Sequence, residues 1–253
     1  MALINTENFY GSLSCNYDSM IGFDSLLAVR KDLLSRFIKP GLDNAADIGC
    51  GTGLDSIALK QLGLNVTGFD LSSDMIARAK INSARYGVEI DFLPFSAMRI
   101  PARFNNIFSA AVSLGNSLAN VKRKDFLPSI KKIFALLKPG GMFLMQILNY
   151  SRILKNKERI VGITEREGNT FIRFYDFHKD KTYFNILRIS GGERKNHSLI
   201  TSEIFPYKTG EIISSFKQAG FGKIEKYGGL NKSNYLAGNS PDLVICAFKR
   251  TKD

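Results

Sequence analysis

Sulfur and imidazole are scarce in this chain, which has 3 cysteines and 2 histidines in 253 residues. Cys15, Cys50 and Cys246 are scattered and odd in number, so they form no disulfide framework, and the two histidines are too few to complete a metal-ligand pattern. No metal is expected. No apolar run reaches the ~20 residues that a membrane helix needs, and there is no repeat, low-complexity tract or Pro/Gly/Ser linker. The opening residues Met1-Ala2-Leu3-Ile4-Asn5-Thr6-Glu7 lack the basic region and long apolar core of a signal peptide, so a cytoplasmic protein with no membrane partner is expected.

What the chain does have is an ordinary globular share of hydrophobic residues, 44%, and an excess of positive charge. Lys and Arg number 35 against 23 Asp and Glu, a net charge of +12. Such a balance raises nucleic acid as a partner. Its distribution argues otherwise: Lys122-Arg123-Lys124, Lys131-Lys132 and the trios of Lys155, Lys157, Arg159 and of Lys249, Arg250, Lys252 read as solvated faces, loops and a tail. None is interleaved with aromatics that would stack on bases.

The densest signal is Asp47-Ile48-Gly49-Cys50-Gly51-Thr52-Gly53, followed by Phe69-Asp70. Glycines at alternate positions let the backbone turn sharply after a strand and let a ligand approach closer than a Cβ would permit. Residues 54–63 then read as a helix with Leu54, Ile57, Ala58 and Leu62 inward, ended by Gly63. Residues 65–69 read as a strand with Asp70 at its carboxyl end, where a carboxylate can accept hydrogen bonds from ribose hydroxyls. A bare glycine turn can be merely structural; the order strand, turn, helix, strand, acid favours a nucleotide. A dinucleotide fingerprint would place its third glycine three residues after the second, a position held here by Leu54.

The first 150 residues alternate strands and helices. A helix over 25–38 leads to strands at 45–48, 65–69, 89–93, 107–112 and 142–148, with helices from Ser72-Ser73-Asp74 onward and over 123–137, and a break at Pro139-Gly140-Gly141. This implies a parallel sheet with ligands at the carboxyl ends of its strands. Segments 160–165, 170–178, 182–190 and 198–206 are rich in β-branched and aromatic residues between turn signals, which reads as consecutive hairpins. A helix over 209–219 and strands over 223–227 and 243–248 complete the chain. The expected fold is α/β: a doubly wound, mostly parallel seven-stranded Rossmann-like sheet from residues 1–150 and 207–253, with an antiparallel insert over 151–206.

These residues resemble the class I S-adenosylmethionine-dependent methyltransferases, whose glycine motif, ribose acid, Pro-Gly-Gly turn and late antiparallel strand all have counterparts here. Within that superfamily, Cys50-Gly51-Thr52-Gly53-Leu54-Asp55-Ser56-Ile57, Leu114-Gly115-Asn116-Ser117-Leu118-Ala119 and Asn149-Tyr150 are most similar to the glycine/sarcosine N-methyltransferases. The sugar aminomethyltransferases are similar in placing an antiparallel insert over the site. The resemblance implies S-adenosylmethionine as cofactor and S-adenosylhomocysteine as product. It further implies Gly49, Cys50 and Gly51 beneath the methionine part, Asp70 on the ribose, Leu71 and Met75 beside the adenine, and Ser96-Ala97-Met98 along its edge. Ala97 stands where the glycine enzymes have a bulkier aromatic. Leu114 would line the cofactor, Tyr17 would belong to a helix covering it, and the expected cofactor arginine is Arg30 or Arg36.

Cys50 can equally be a small residue in a packed turn, and Met75 ordinary helix core. The substrate-positioning candidates are Tyr10, Asn116, Asn149, Tyr150 and Arg173. Asn116 and Asn149 follow apolar strands, where an amide buried unpaired costs ~1–3 kcal/mol, and substrate contact is favoured for Asn149 over a structural hydrogen bond. Arg173, Arg188 and Arg194 could grip a carboxylate bidentately. Methyl transfer from a sulfonium asks mainly for alignment and desolvation, and an amine nucleophile needs no dedicated base. The loops after the fourth and fifth strands offer Asn116, Asn149 and Tyr150 but no histidine or carboxylate, which favours a small-molecule amine, an amino acid or aminosugar. The alternatives are an RNA methyltransferase using the basic surface and a non-catalytic cofactor-binding regulator. Against base amines, Ser113-Leu114-Gly115-Asn116 replaces the Asn/Asp-Pro-Pro-aromatic tetrad of such enzymes. The sequence sets no oligomeric state.

Overall fold

The computed structural model describes Phe9, residues 16–191 and residues 196–251. A helical stretch over 16–21 meets α1 (Phe23–Ser35) at Gly22, whose φ of 67° turns the chain between them. α1 starts two residues earlier than the sequence reading and ends three earlier. There follow β1 (Asn44–Ile48), α2 (Leu54–Gln61), β2 (Asn65–Phe69), α3 (Ser73–Arg85), β3 (Asp91–Leu93), β4 (Phe108–Ser113), α4 (Arg123–Leu136) and β5 (Leu137–Leu148). A short helix, α5 (Tyr150–Asn156), leads to β6 (Ile160–Arg166), β7 (Asn169–Phe177), β8 (Thr182–Ser190) and β9 (Asn196–Ile204), and the chain closes with α6 (Thr209–Ala219), β10 (Phe221–Tyr227) and β11 (Asp242–Lys249).

The main sheet runs β10-β11-β5-β4-β1-β2-β3, with β1 to β5 parallel and β11 antiparallel to both neighbours. The chain winds from β1 out to β3 and then crosses to β4, so the order reverses between β1 and β4, where open α/β sheets leave a crevice. Every residue of β4 is buried, as expected of a strand covered on both faces. Ser72 caps α3, its hydroxyl accepting from the Met75 N–H at 3.3 Å, and Met75, Ile76 and Ala79 face inward. The second sheet is a four-stranded antiparallel meander, β6-β7-β8-β9. Among the described residues no helix is long and apolar enough to cross a membrane.

Two features depart from the sequence reading. Pro139-Gly140-Gly141 does not precede the fifth strand but lies within it: Phe108 pairs with Leu137 and Ala110 with Met142, so residues 138–141 bulge out of the ladder. Helix α5 was not anticipated; its seven residues are too few to show a helical period, and Asn149, expected to face substrate, is its N-cap.

Gly68 in β2 is a tight point of the core. A Cβ there would fall 2.5 Å from Cδ1 of Phe92 and 3.1 Å from the Cys50 sulfur. Gly68→Ala is therefore expected to destabilise the chain by about 1–3 kcal/mol through overpacking, read as a lower urea midpoint; an unchanged midpoint would show that the Phe92 ring can yield.

Candidate active site

The turn after β1 is built on left-handed backbone, with φ of 74° at Gly49, 54° at Gly51 and 89° at Gly53. A Cβ on Gly49 would fall 2.7 Å from Ser117 Cβ, whereas nothing lies within 4 Å of a Cβ on Gly51. The turn is tied to β2 by the N–H groups of Gly49 and Cys50, which donate to the Phe69 carbonyl at 2.7 and 3.0 Å.

Above it, at the reversal between β1 and β4, lies a cavity of about 730 Å³. Gly49 and Gly51 line it, and so do Asp70, Leu71, Met75, the run Ser96-Ala97-Met98, and Tyr17 from the 16–21 stretch. The Asp70 carboxylate accepts from the N–H of Gly51 on one oxygen and of Ser72 on the other, each at 2.9 Å. Each oxygen keeps a lone pair, so two adjacent hydroxyls can be received. Burial raises its pKa while those backbone donors pull it back. Leu71 and Met98, large and apolar, are both exposed at this cavity, suited to the faces of a base.

Behind the turn sits a buried charge cluster. Ser56 donates to Asp47 Oδ2 at 2.6 Å, and Arg30 stands 3.1 Å from Asp55. That contact is an ion pair without hydrogen-bond geometry, and the Arg30 Nη1 and Asp55 Oδ1 atoms remain buried without a hydrogen-bond partner. Tyr17 is beside the same charges, and burial holds its hydroxyl up at about 12. Arg30 and Asp55 thus form a buried pair beside Tyr17, just outside the residues that line the cavity. The glycine cradle and the Asp70 carboxylate fit the ribose of an adenosyl ligand.

The 16–21 stretch is latched over the cavity. Arg78 Nε donates to Asp18 Oδ2 at 2.6 Å and Asn82 Nδ2 to the same oxygen at 3.0 Å. Asn82 Nδ2 also reaches the Thr52 carbonyl at 3.0 Å, so cover and glycine turn share one amide. Met20 and Phe9 pack with Phe171 and Ile186 of the antiparallel sheet.

The Cys50 side chain packs into the core with Ile76, Ala79 and Phe92, which leaves its backbone, the part expected beneath a ligand, in the turn. Other expected site residues lie elsewhere. Leu114 is buried in the cluster under α1 and α2. Asn149 is 1% exposed and fully engaged. Its Nδ2 donates to the carbonyls of Ala237 and Ser240, and its Oδ1 accepts from Arg152 N and Tyr235 Oη. It is a structural amide, contrary to the substrate contact expected of it. Asn116, with φ of 70°, accepts from Leu148 N at 3.0 Å and donates to Tyr150 Oη at 2.8 Å; Tyr150 is itself buried, its hydroxyl 3.5 Å from that of Tyr175. These two brace the loop after β4 from beneath. Tyr10 and Arg194 lie outside the described residues.

Of the two arginines, Arg30 is buried against Asp55 behind the glycine turn and Arg36 pairs with Asp32 at the surface. Helical phase would have separated them, since Arg30 continues the buried stripe of Phe23, Leu27 and Leu34. Ser117 was missed. Its hydroxyl reaches the Gly49 and Leu114 carbonyls at 3.1 and 3.0 Å, and it lines the cavity.

Residues 45–141 match the family model of a methyltransferase domain. A glycine/sarcosine N-methyltransferase of Halorhodospira halochloris is 24% identical over 95% of this chain and 88% of its own length. A ubiquinone biosynthesis O-methyltransferase of Xanthomonas axonopodis pv. citri is 31% identical over 49% of this chain and 51% of its own. Among solved structures, an S-adenosylmethionine-dependent methyltransferase from Clostridium acetobutylicum superposes with a TM-score of 0.79 at 18% identity, covering 95% of this chain and 99% of that one. The family match thus spans residues 45–141, and the fold is shared along nearly the whole chain with a known methyltransferase. Nothing in these matches supports the RNA alternative.

Burial, and then the nearby Asp55 charge, holds the Asp47 carboxyl up at about 8. A carboxyl whose pKa is higher folded than unfolded stabilises the fold fully only below its unfolded value, and that contribution falls as pH rises to the folded one. Without cofactor, stability should therefore decline between about pH 4 and pH 8. Asp47→Asn, whose amide oxygen can still accept from Ser56, should flatten the decline in thermal melts; an unaltered slope would assign it to other groups.

Proposed function

We propose that this enzyme methylates the amine nitrogen of a small acceptor that carries a carboxylate, an amino acid or a close relative. The observation behind this reading is Arg173. It stands on the face of β7 turned towards the cover, near enough to Tyr17 for its charge to act on the hydroxyl. Gly162 on the neighbouring strand leaves room for it, since a Cβ there would fall 2.8 Å from Arg173 Nη2. Its Nη2 makes one long contact to Thr164 Oγ1, 3.4 Å, and its Nε is buried without a partner. A guanidinium so placed is suited to a carboxylate.

In this reading Asp70 takes the ribose, Leu71, Met75 and Ser96-Ala97-Met98 enclose the adenine, and Tyr17 closes over the cofactor. The antiparallel sheet over 151–206 covers the acceptor. The sulfonium supplies both the methyl group and a neutral leaving group. What is left to the chain is to align the acceptor and keep water out. The carboxylates lining the cavity among the described residues are Asp70 and Asp125, neither on the loops after β4 or β5, which suits an acceptor that arrives as a neutral amine. The glycine/sarcosine relative, matching along nearly the whole chain, supports nitrogen over oxygen.

Incubation with labelled cofactor and panels of amines, amino acids, aminosugars and phenols should label amino acids; labelling confined to phenols would overturn the reading. Arg173→Ala should raise KM for the carboxylate acceptor roughly 30-fold or more, as expected for truncating one partner of a buried charge pair, with kcat and cofactor affinity little changed. Loss of cofactor binding instead would refute the role given to Arg173.

A further inference from the structure

The outward face of the antiparallel sheet carries a feature the methyl-transfer site does not use. The register places Ile163 opposite Ile172, Ile172 opposite Leu187, and Leu187 opposite Leu199. One unbroken aliphatic row therefore crosses all four strands. Side chains two residues away on the same strands share that face, which puts Phe174 and Ile189 beside the row. Ile163 is 62% exposed. None of these six packs into any of the four apolar clusters among the described residues. The opposite face is fully employed, Phe171 and Ile186 against Phe9 and Met20, and Tyr175 in the main core.

We propose that this outward face is the interface of a homodimer, two copies meeting sheet to sheet about a twofold axis. Area, charge and shape select a second copy as the occupant. Four strands ~4.8 Å apart and about nine residues long at ~3.3 Å each cover roughly 550 Å². Two such faces in contact remove roughly 1,100 Å² before side-chain relief is counted, close to the roughly 1,200–2,000 Å² of stable interfaces. Charge narrows the choice further. In a chain of net charge +12, the outward positions paired across β6 to β9 hold no lysine or arginine. Their charged residues are Glu165, Asp176 and Glu203, and Arg159 already engages the Asp176 carboxylate. A face whose paired positions hold carboxylates and no cation, with Arg159 reaching it only to neutralise Asp176, is unsuited to nucleic acid or an anionic lipid surface, and it is where two highly basic copies can meet with least repulsion. A flat aliphatic row is also complementary to itself, as an isologous contact requires, and aligned sheets pack face to face through such rows.

Sedimentation velocity on the full chain at micromolar concentration tests this. The wild type should sediment at twice the chain mass, and Ile172→Glu and Leu187→Glu should sediment as monomers. Each glutamate would set a carboxylate without a partner against the facing row and raise the dimer Kd roughly 100-fold or more. Ile163→Lys, on an edge strand and already exposed, gives the same readout without burdening the fold. Ile81→Glu, exposed on α3, should leave the dimer intact. A wild type that remains monomeric would overturn the proposal, and so would a dimer that survives the three sheet variants.

Discussion

Ser117 packs against the bare α-carbon of Gly49, and its hydroxyl reaches the Gly49 carbonyl. The contact joins the ends of β1 and β4, the two strands between which the sheet reverses its order. Because no Cβ can be accommodated there, the turn keeps its left-handed geometry and the Gly51 α-carbon stays open to the cavity. The loop after β4 is held equally from its other side. Gln146 accepts from the Gly115 N–H, and Asn116 joins Leu148 to Tyr150. The glycine turn and the loop after β4 are thus braced as one piece, which suits the proposed displacement, whose energetic demand is mainly positional.

The charges follow a related logic. A chain rich in lysine places its carboxylates Asp47 and Asp55 behind the glycine turn, with one arginine between α1 and α2 to balance them. Charges removed from water need partners, and this set is completed only partly from within.

The sequence made the parallel half legible because its elements are local: a glycine turn, a capped helix and an acid at a strand end each announce themselves within about ten residues. Asp70, Leu71 and Met75 were found this way, and the structure puts them at one cavity. The hairpins of the insert were equally visible through their turns. Fates decided by distant contacts were not. Asn149 looked like a residue aimed at substrate until the loop at Ala237 and Ser240 supplied its partners. Cys50 and Leu114 sit in the right motif, but which way a side chain turns depends on Phe92 or α2, far off in sequence. Ser117 carried no signal of its own, since a serine after a strand is common; only the neighbouring glycine gives it meaning.

The cover over the cavity joins segments made far apart in time. Phe9, Tyr17 and Met20 are synthesised some 150 residues before their apolar partners Phe171, Phe184 and Ile186. Through that interval the parallel sheet can assemble from contacts of shorter span, while the leading segment has nothing to bury itself against. This early segment is consequently late to find its place, and the cavity acquires its roof only once the antiparallel hairpins exist to support it.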